Sequence, residues 1–344
     1  MQNAITDVPG VLIGQYERTD EPYLTGTTVI YLPGTAVAGV DVRGGAPGTR
    51  ETDLLDPVNS NPGVNAIVLT GGSAYGLDAA SGVMAWLEER GEGVRVGPDP
   101  SEVVPIVPAA VLFDLGRGGS FRARPDADWG RRAISAAAAG PVAEGNVGAG
   151  AGARAGRLKG GVGTASVRLA NGFTVGALVV VNAVGSAVDE TGRMLGERAG
   201  IDGEFAGLAT PVEGPPEAPP GPLPGMNTVI AVIATDAPLD KVGATRLAMV
   251  GHDGLARSVD PIHTLLDGDT VFGLSTAPPE VAKWSVSNLA DLVSLETVFA
   301  AGARTLARAV VRGMLAAEAV TTPAVTLQSY RSAYPSAVRD HPAG

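Results

Sequence analysis

Cysteine is absent from the 344 residues, which excludes disulfides, thiolate metal sites and a thiol nucleophile together. Histidine is nearly as scarce. His252, His263 and His341 are the whole supply, so a Ser-His-Asp triad must draw on one of them, and His341 lies in a polar tail. Basic charge is the minority sign, with 25 Lys and Arg against 36 Asp and Glu and a formal net charge of −11. Nucleic acid and anionic membrane both need a basic face, so neither is an expected partner. No apolar run reaches the roughly 18–20 residues that a membrane helix needs. The first residues, Met1 to Asp7, lack the basic start and apolar core of a signal peptide. These absences together give the expectation of a soluble, cytoplasmic protein. Aromatic residues make up only 4% while glycine reaches 48, so close backbone packing and tight turns are expected to be common.

Proline is concentrated in one place. From Pro211 to Pro224, seven of fourteen residues are proline, and the segment through Met226 reads as a connector that can supply few sheet or helix donors. It ends at Met226-Asn227-Thr228, after which Val229 to Ala234 is β-branched and apolar, as in a strand buried on both faces. A hydroxyl residue opening a buried strand after an extended tether makes chemical sense if the bond before Thr228 is cut. The Thr228 hydroxyl attacks the preceding carbonyl, an ester forms, and water releases it. The new terminus carries a hydroxyl beside its own α-amine, whose unperturbed pKa of about 7.7–8.0 lets it act as a base without histidine.

Elsewhere the chain alternates strand and helix signals. Val29–Leu32 and Ala36–Val42 flank Pro33-Gly34 and read as a hairpin, and Ala66–Thr70 is a short buried strand. Ser73 reads as the N-cap of a helix over Ala74–Arg90, stopped at Gly91. Val103–Asp114 contains Pro105 and Pro108 and is expected as edge strand or loop. A short helix is expected over Ala133–Ala139, and a hairpin over Ala165–Leu169 and Thr174–Val184, turned at Asn171-Gly172. Helices are expected over Asp240–Leu255 and Ser287–Val320, the latter bent or divided at Gly302 and Gly313, with a strand over Asp269–Leu274 between them. The expected class is α/β with substantial antiparallel pairing, and the length suits one large domain or two ordinary ones.

Four further groups bear on the chemistry. His252 and His263 with Asp253 and Asp260 match no familiar metal spacing, and a solvated helix-to-loop segment explains them equally well. The glycine-rich run Gly148–Gly156 resembles a phosphate cradle but precedes strands rather than a helix, so a flexible loop lining a pocket is the favoured reading. In an extended Leu265–Thr270, Asp267 and Asp269 project from one face and could hold the Thr228 amine; a polar turn entering a strand fits the same residues. Asn182 interrupts an apolar strand and needs hydrogen-bond partners there, structural or oxyanion-binding, while Lys159 sits among glycines.

The segments Leu69–Leu77, Val104–Ala110, Lys159–Ala165, Val181–Ala183 and Met226–Thr228 together resemble the self-processing family of D-aminopeptidases, β-peptidyl aminopeptidases and nylon-oligomer hydrolases. Threonine after asparagine at the cut, and the downstream pair Asp267 and Asp269, make the chain most similar to the nylon-oligomer branch, which cleaves 6-aminohexanoate oligomers internally. The resemblance implies a single domain over 1–344, a four-layer αββα sandwich cut into 1–227 and 228–344 and assembled as a tetramer of heterodimers. It implies Thr228 as nucleophile, Asn227 as the released C-terminus, Lys159 and Asn182 positioning the nucleophile or oxyanion, and Asp267 with Asp269 organising the amine. Phe113 stands where the family often carries tyrosine, and it cannot donate a hydroxyl hydrogen bond. No metal or cofactor enters this reading. Its competitors are an aminopeptidase for N-terminal D- or β-amino acids, a related acyltransferase, and a nucleotide- or anion-binding protein using Gly148–Gly156.

Overall fold

The computed structural model of the chain describes residues 1–61, 63–217, 227–278, 281, 284 and 287–338. The later part of the proline connector with Met226, and His341, lie outside the described residues. Nine strands form one hydrogen-bonded system: Leu12–Arg18 (β1), Thr25–Val42 (β2), Thr49–Arg50 (β3), Val64–Thr70 (β4), Ala109–Val111 (β5), Val162–Arg168 (β6), Thr174–Val180 (β7), Ile230–Thr235 (β8) and Thr270–Ser275 (β9). The order is β6-β7-β8-β9-β2-β4-β5-β3, with β1 also on β2. The main helices are Ala79–Glu88 (α1), Ala127–Ser135 (α2), Lys241–Ala256 (α3) and Leu289–Ala316 (α4). Among the described residues no helix is long and apolar enough to cross a membrane.

The expected hairpin at Pro33-Gly34 is instead one 18-residue strand, β2. Its first half pairs with β1 and β4, its second half with β9, and the register shifts between Tyr31 and Ala36. Gly34 at φ +88° supplies a left-handed residue to that irregularity, so the strand changes partners without reversing. Ala109–Val111 also departs from expectation: Pro105 and Pro108 precede it, leaving it free to pair between β4 and β3 rather than at an edge.

Pairing is mixed, as expected. β8 runs parallel to β9 and β5 parallel to β4, while the other named pairs in this sheet are antiparallel. Every residue of β8 is buried, which accounts for its unbroken apolar run. Its side chains alternate between two clusters. Ile230, Val232 and Ala234 join Ile30, Ile67, Leu69, Leu178 and Phe272. Ala231 and Ile233 join Leu247 of α3 and Leu306 and Val310 of α4. A third cluster packs Val29, Val68 and their neighbours on Ala80, Val83 and Leu87 of α1 and Ile134 of α2.

Helix starts follow side-chain caps where these exist. Asp240 accepts from the Gly243 amide (2.8 Å) and fixes the start of α3 as expected. Asp126 accepts from the Asp128 amide (3.0 Å), so α2 starts at Ala127, upstream of the expected Ala133. Ser73 does not cap a helix; at φ +52° it opens a 3-10 turn over Ser73–Asp78, and α1 begins only at Ala79. Gly302 and Gly313 do not divide α4, which is continuous over 28 residues. Gly313 instead marks where the helix rests on β6. A Cβ at Gly163 would come 2.0 Å from the Ala309 carbonyl oxygen, so only glycine permits this approach.

Candidate active site

Thr228 lies just before β8, and its surroundings follow from the two strands beside it. Because β8 and β9 are parallel with Ile230 opposite Thr270, their leading ends lie side by side. The ladder continues backward through an Asn227–Asp267 bridge, so Gly268 falls opposite Thr228, with an aspartate on each side of it. The Gly268 amide donates to Thr228 Oγ1 (3.1 Å), and a Cβ on Gly268 would sit 3.0 Å from that oxygen and 2.6 Å from the Ala46 carbonyl oxygen. On the other flank, the antiparallel strand β7 runs on into Asn182, whose main-chain carbonyl accepts the Thr228 N–H (2.6 Å). The Thr228 hydroxyl donates to the Asn227 carbonyl oxygen, the carbonyl it must attack for self-cleavage. Thr228 is 5% exposed.

The two carboxylates brace this strand end from separate directions. Asp269 Oδ1 accepts from the Val229 amide (2.8 Å), and its Oδ2 accepts from the His263 amide (2.9 Å) and lies 2.8 Å from His263 Nδ1. Asp267 Oδ1 accepts from the Val184 amide (3.1 Å), and Oδ2 accepts from the Thr264 amide (3.3 Å) and hydroxyl (2.5 Å). With Asn227 and Thr228 joined, the Thr228 nitrogen is a peptide amide that donates to the Asn182 carbonyl, and the two carboxylates hold the Val229 and Val184 amides nearby. Burial pushes the Asp267 carboxyl above its ordinary range, and the neighbouring Asp269 adds to this.

Arg117 links the remaining groups. Its Nη1 donates to the Gly152 carbonyl (2.6 Å) and Asn182 Oδ1 (2.8 Å), and its Nη2 donates to Asn227 Oδ1 (2.8 Å). Burial, with Arg154 nearby, lowers its pKa to about 10. Asn182 Oδ1 also accepts from the Arg154 amide (3.0 Å), and its Nδ2 donates to the Phe113 carbonyl (3.4 Å), which satisfies the buried carboxamide. Lys159 Nζ donates to the Gly150 (2.8 Å) and Gly160 (2.6 Å) carbonyls rather than to Thr228. Burial first, then the charge of Arg117, lowers its pKa to about 7.

That shift fixes a pH dependence. Below about pH 7 Lys159 is protonated in both states and its buried charge is unfavourable; between about 7 and its ordinary value of 10.5 only the unfolded chain holds the proton. The unfolded state then binds more protons, so this group makes stability rise with pH across that window. Replacing Lys159 by Met is expected to flatten the rise, read from urea unfolding midpoints between pH 7 and 10.

The other sequence candidates have settled roles. Residues 148–153 are buried and packed rather than an open loop, with the Gly148 amide on Glu17 and the Ala149 amide on Thr28 Oγ1. His252 Nε2 lies 3.0 Å from the Asp41 carbonyl oxygen, and burial lowers its pKa to about 4. A cavity of about 100 Å³ opens beside Thr228 and Asn227, lined by Ala46, Pro47, Gly48, Ser73, Ala74, Val111, Leu112 and Phe113. A larger cleft of about 730 Å³ lies between residues 189–199 and α4, with Arg193 and Arg304 on its walls, and includes none of the residues around Thr228.

The fold is that of an N-terminal-nucleophile (Ntn) hydrolase. It is similar to the L-aminopeptidase D-Ala-esterase/amidase of Ochrobactrum anthropi, described as a variant of the Ntn-hydrolase fold, with a TM-score of 0.71 and 25% identity, covering 95% of this chain and 91% of that one. Residues 3–326 match peptidase family S58, and the chain belongs to that family. An uncharacterized aminopeptidase of Mycobacterium tuberculosis is 50% identical, over 97% of this chain and 99% of its own. A 6-aminohexanoate-oligomer endohydrolase of Kocuria sp. is 35% identical, over 78% of this chain and 74% of its own. The resemblance read from the sequence segments is thereby borne out, and the chain is an amide-bond hydrolase.

Proposed function

We propose that the chain cuts its own Asn227–Thr228 bond and that Thr228 then serves as the N-terminal nucleophile of an amide hydrolase. The observation that carries this reading is the Thr228 hydroxyl lying against the Asn227 carbonyl, with Gly268 N–H on the hydroxyl oxygen and the Asn182 carbonyl on the Thr228 nitrogen. Oγ1 adds to the Asn227 carbonyl carbon, the C–N bond breaks, and the nitrogen takes up the proton to become a free amine. Water then hydrolyses the ester, leaving an Asn227 carboxylate and a free hydroxyl. In turnover the same hydroxyl attacks the substrate amide, the α-amine of Thr228 takes its proton and passes it to the leaving amine, and water releases the acyl group. Asn182 holds the amine through its main-chain carbonyl, while Asp267 and Asp269 hold the strand ends that carry the site. Lys159 acts at one remove, fixing the Gly150 and Gly160 carbonyls. The three hydrophobic clusters, one with no residue from the four main helices, one including α3 and α4 and one including α1 and α2, support a four-layer αββα arrangement. The products are fragments 1–227 and 228–344, with a tetramer of such heterodimers as the assembly the resemblance implies.

Linear amide oligomers of the 6-aminohexanoate type are the proposed accepted substrates, cut internally. The cavity beside Thr228 supports this, since the described residues that line it include no carboxylate to hold a free ammonium. The M. tuberculosis relative's name, an uncharacterized aminopeptidase, favours an aminopeptidase as the alternative class, and the competitor is one for N-terminal D- or β-amino acids. Acetylated and free-amine 6-aminohexanoate oligomers separate the two. Comparable hydrolysis of both, followed by mass spectrometry of products, is the expected result; turnover only of the free-amine form gives the site to an aminopeptidase.

A further inference from the structure

Self-cleavage makes Asn227 the acyl residue of the chain's own scissile bond, so its contacts outline the acyl side of the site; this inference rests on the Thr228 reading. The Asn227 side chain is gripped at both ends. Its Oδ1 accepts from Arg117 Nη2 (2.8 Å), and its Nδ2 donates to the Ala183 carbonyl (2.7 Å). Neither partner depends on Asn227 for its position. Arg117 is fixed by the Gly152 carbonyl and Asn182 Oδ1, and Ala183 follows directly on Asn182, whose carbonyl holds the Thr228 nitrogen. When the cut residue leaves, a donor and an acceptor remain, spaced to receive a carboxamide beside the cavity at Thr228.

We infer that Arg117 and the Ala183 carbonyl recognise the acyl unit of the substrate, and that this unit is of the asparaginyl type, with a carboxamide at the γ position. Other groups fit this pair less well. A γ-carboxylate satisfies Arg117 but sets a second negative oxygen against the Ala183 carbonyl. A free amine there meets the guanidinium as a like charge. A leucyl side chain, or the methylenes of a 6-aminohexanoyl unit, makes no hydrogen bond there, leaving Arg117 Nη2 without the acceptor that Asn227 supplies and the Ala183 carbonyl with the Gly156 amide alone. Sites built to hydrogen-bond a substrate group reject analogues lacking it far more strongly than apolar pockets reject a missing methylene. Nylon-type amides are then accepted substrates that turn over more slowly than asparaginyl amides.

The test uses the purified full chain with N-acetyl-asparaginyl, N-acetyl-aspartyl and N-acetyl-leucyl p-nitroanilides. The expected kcat/KM for the asparaginyl compound exceeds each of the others by about 100-fold. Arg117→Met is expected to bring the asparaginyl-to-leucyl ratio of kcat/KM to near one, whatever its effect on overall turnover, a selectivity change that general loss of structure would not produce. A wild-type ratio near one, or no release from the asparaginyl compound, overturns the inference, as does an unchanged preference in Arg117→Met. If that variant stays uncut, the wild-type ratios alone decide. Failure of the underlying reading is seen separately, as a wild-type chain with no fragment beginning at Thr228.

Discussion

Thr228→Ala is expected to leave a single 34.6 kDa chain and to abolish amide hydrolysis. The hydroxyl of residue 228 is the atom that bonds both to the Asn227 carbonyl during processing and to the substrate carbonyl during turnover, so one substitution removes both events. Loss of a nucleophile costs on the order of 10³-fold or more in rate, because no neighbouring group can form the covalent intermediate in its place. The loss cannot be ascribed to unfolding. Thr228 sits at a strand end, and removing its hydroxyl gives up the Gly268 and Asn227 hydrogen bonds, about 1 kcal/mol each, in a chain with three extensive cores. Thr228→Ser keeps the hydroxyl and is expected to cut and turn over. Intact mass under denaturing conditions reads the processing, and a thermal melt confirms the fold. Normal cutting in Thr228→Ala would remove the assignment.

What the sequence made legible were the features set by neighbours along the chain. The alternation and β-branching of Val229–Ala234 announced a buried strand, Asp240 announced the start of α3, and Asn171-Gly172 announced the turn joining β6 to β7, with Gly172 at φ +89°. Thr228 stood out because a tether ends there. The parallel register that sets Gly268 opposite Thr228 was not legible, because it depends on α3 carrying the chain from β8 back to the start of β9. Arg117 was missed for a related reason. It sits in a glycine-rich turn, 110 residues from Asn227, and its role exists only once both reach the same strand end. His263 has only its scarcity to mark it, and nothing in the spacing ties it to Asp269, whose Oδ2 lies 2.8 Å from its Nδ1. Pro33-Gly34 misled because a turn dipeptide in a strand with two sets of partners produces a bulge rather than a reversal.

Removing the carboxylates is expected to slow the reaction without erasing it, and unequally. Asp269→Ala deletes the acceptor of the Val229 amide, the peptide group immediately after Thr228, and leaves that amide and the His263 amide without their partner. A buried donor so orphaned costs about 1–3 kcal/mol, and the strand end can relieve this only by shifting. Displacements of about 1 Å at a reacting group can cost on the order of 10²-fold in rate. Asp269→Ala is therefore expected to cut and turn over about 10²-fold more slowly. Asp267→Ala acts one step further away. Its Oδ1 holds the Val184 amide, just beyond the Asn182 and Ala183 carbonyls, so the acceptor for the Thr228 nitrogen loosens while the Val229 anchor stays in place. A smaller loss, about tenfold, is expected there, because residues 182–184 keep their other hydrogen bonds. Time courses of intact mass measure cutting, and steady-state hydrolysis by the cut fraction measures turnover. Wild-type rates in both variants would take the carboxylates out of the site. A larger defect in Asp267→Ala would instead mean that the acceptor strand, rather than the nucleophile's own strand, limits the chemistry.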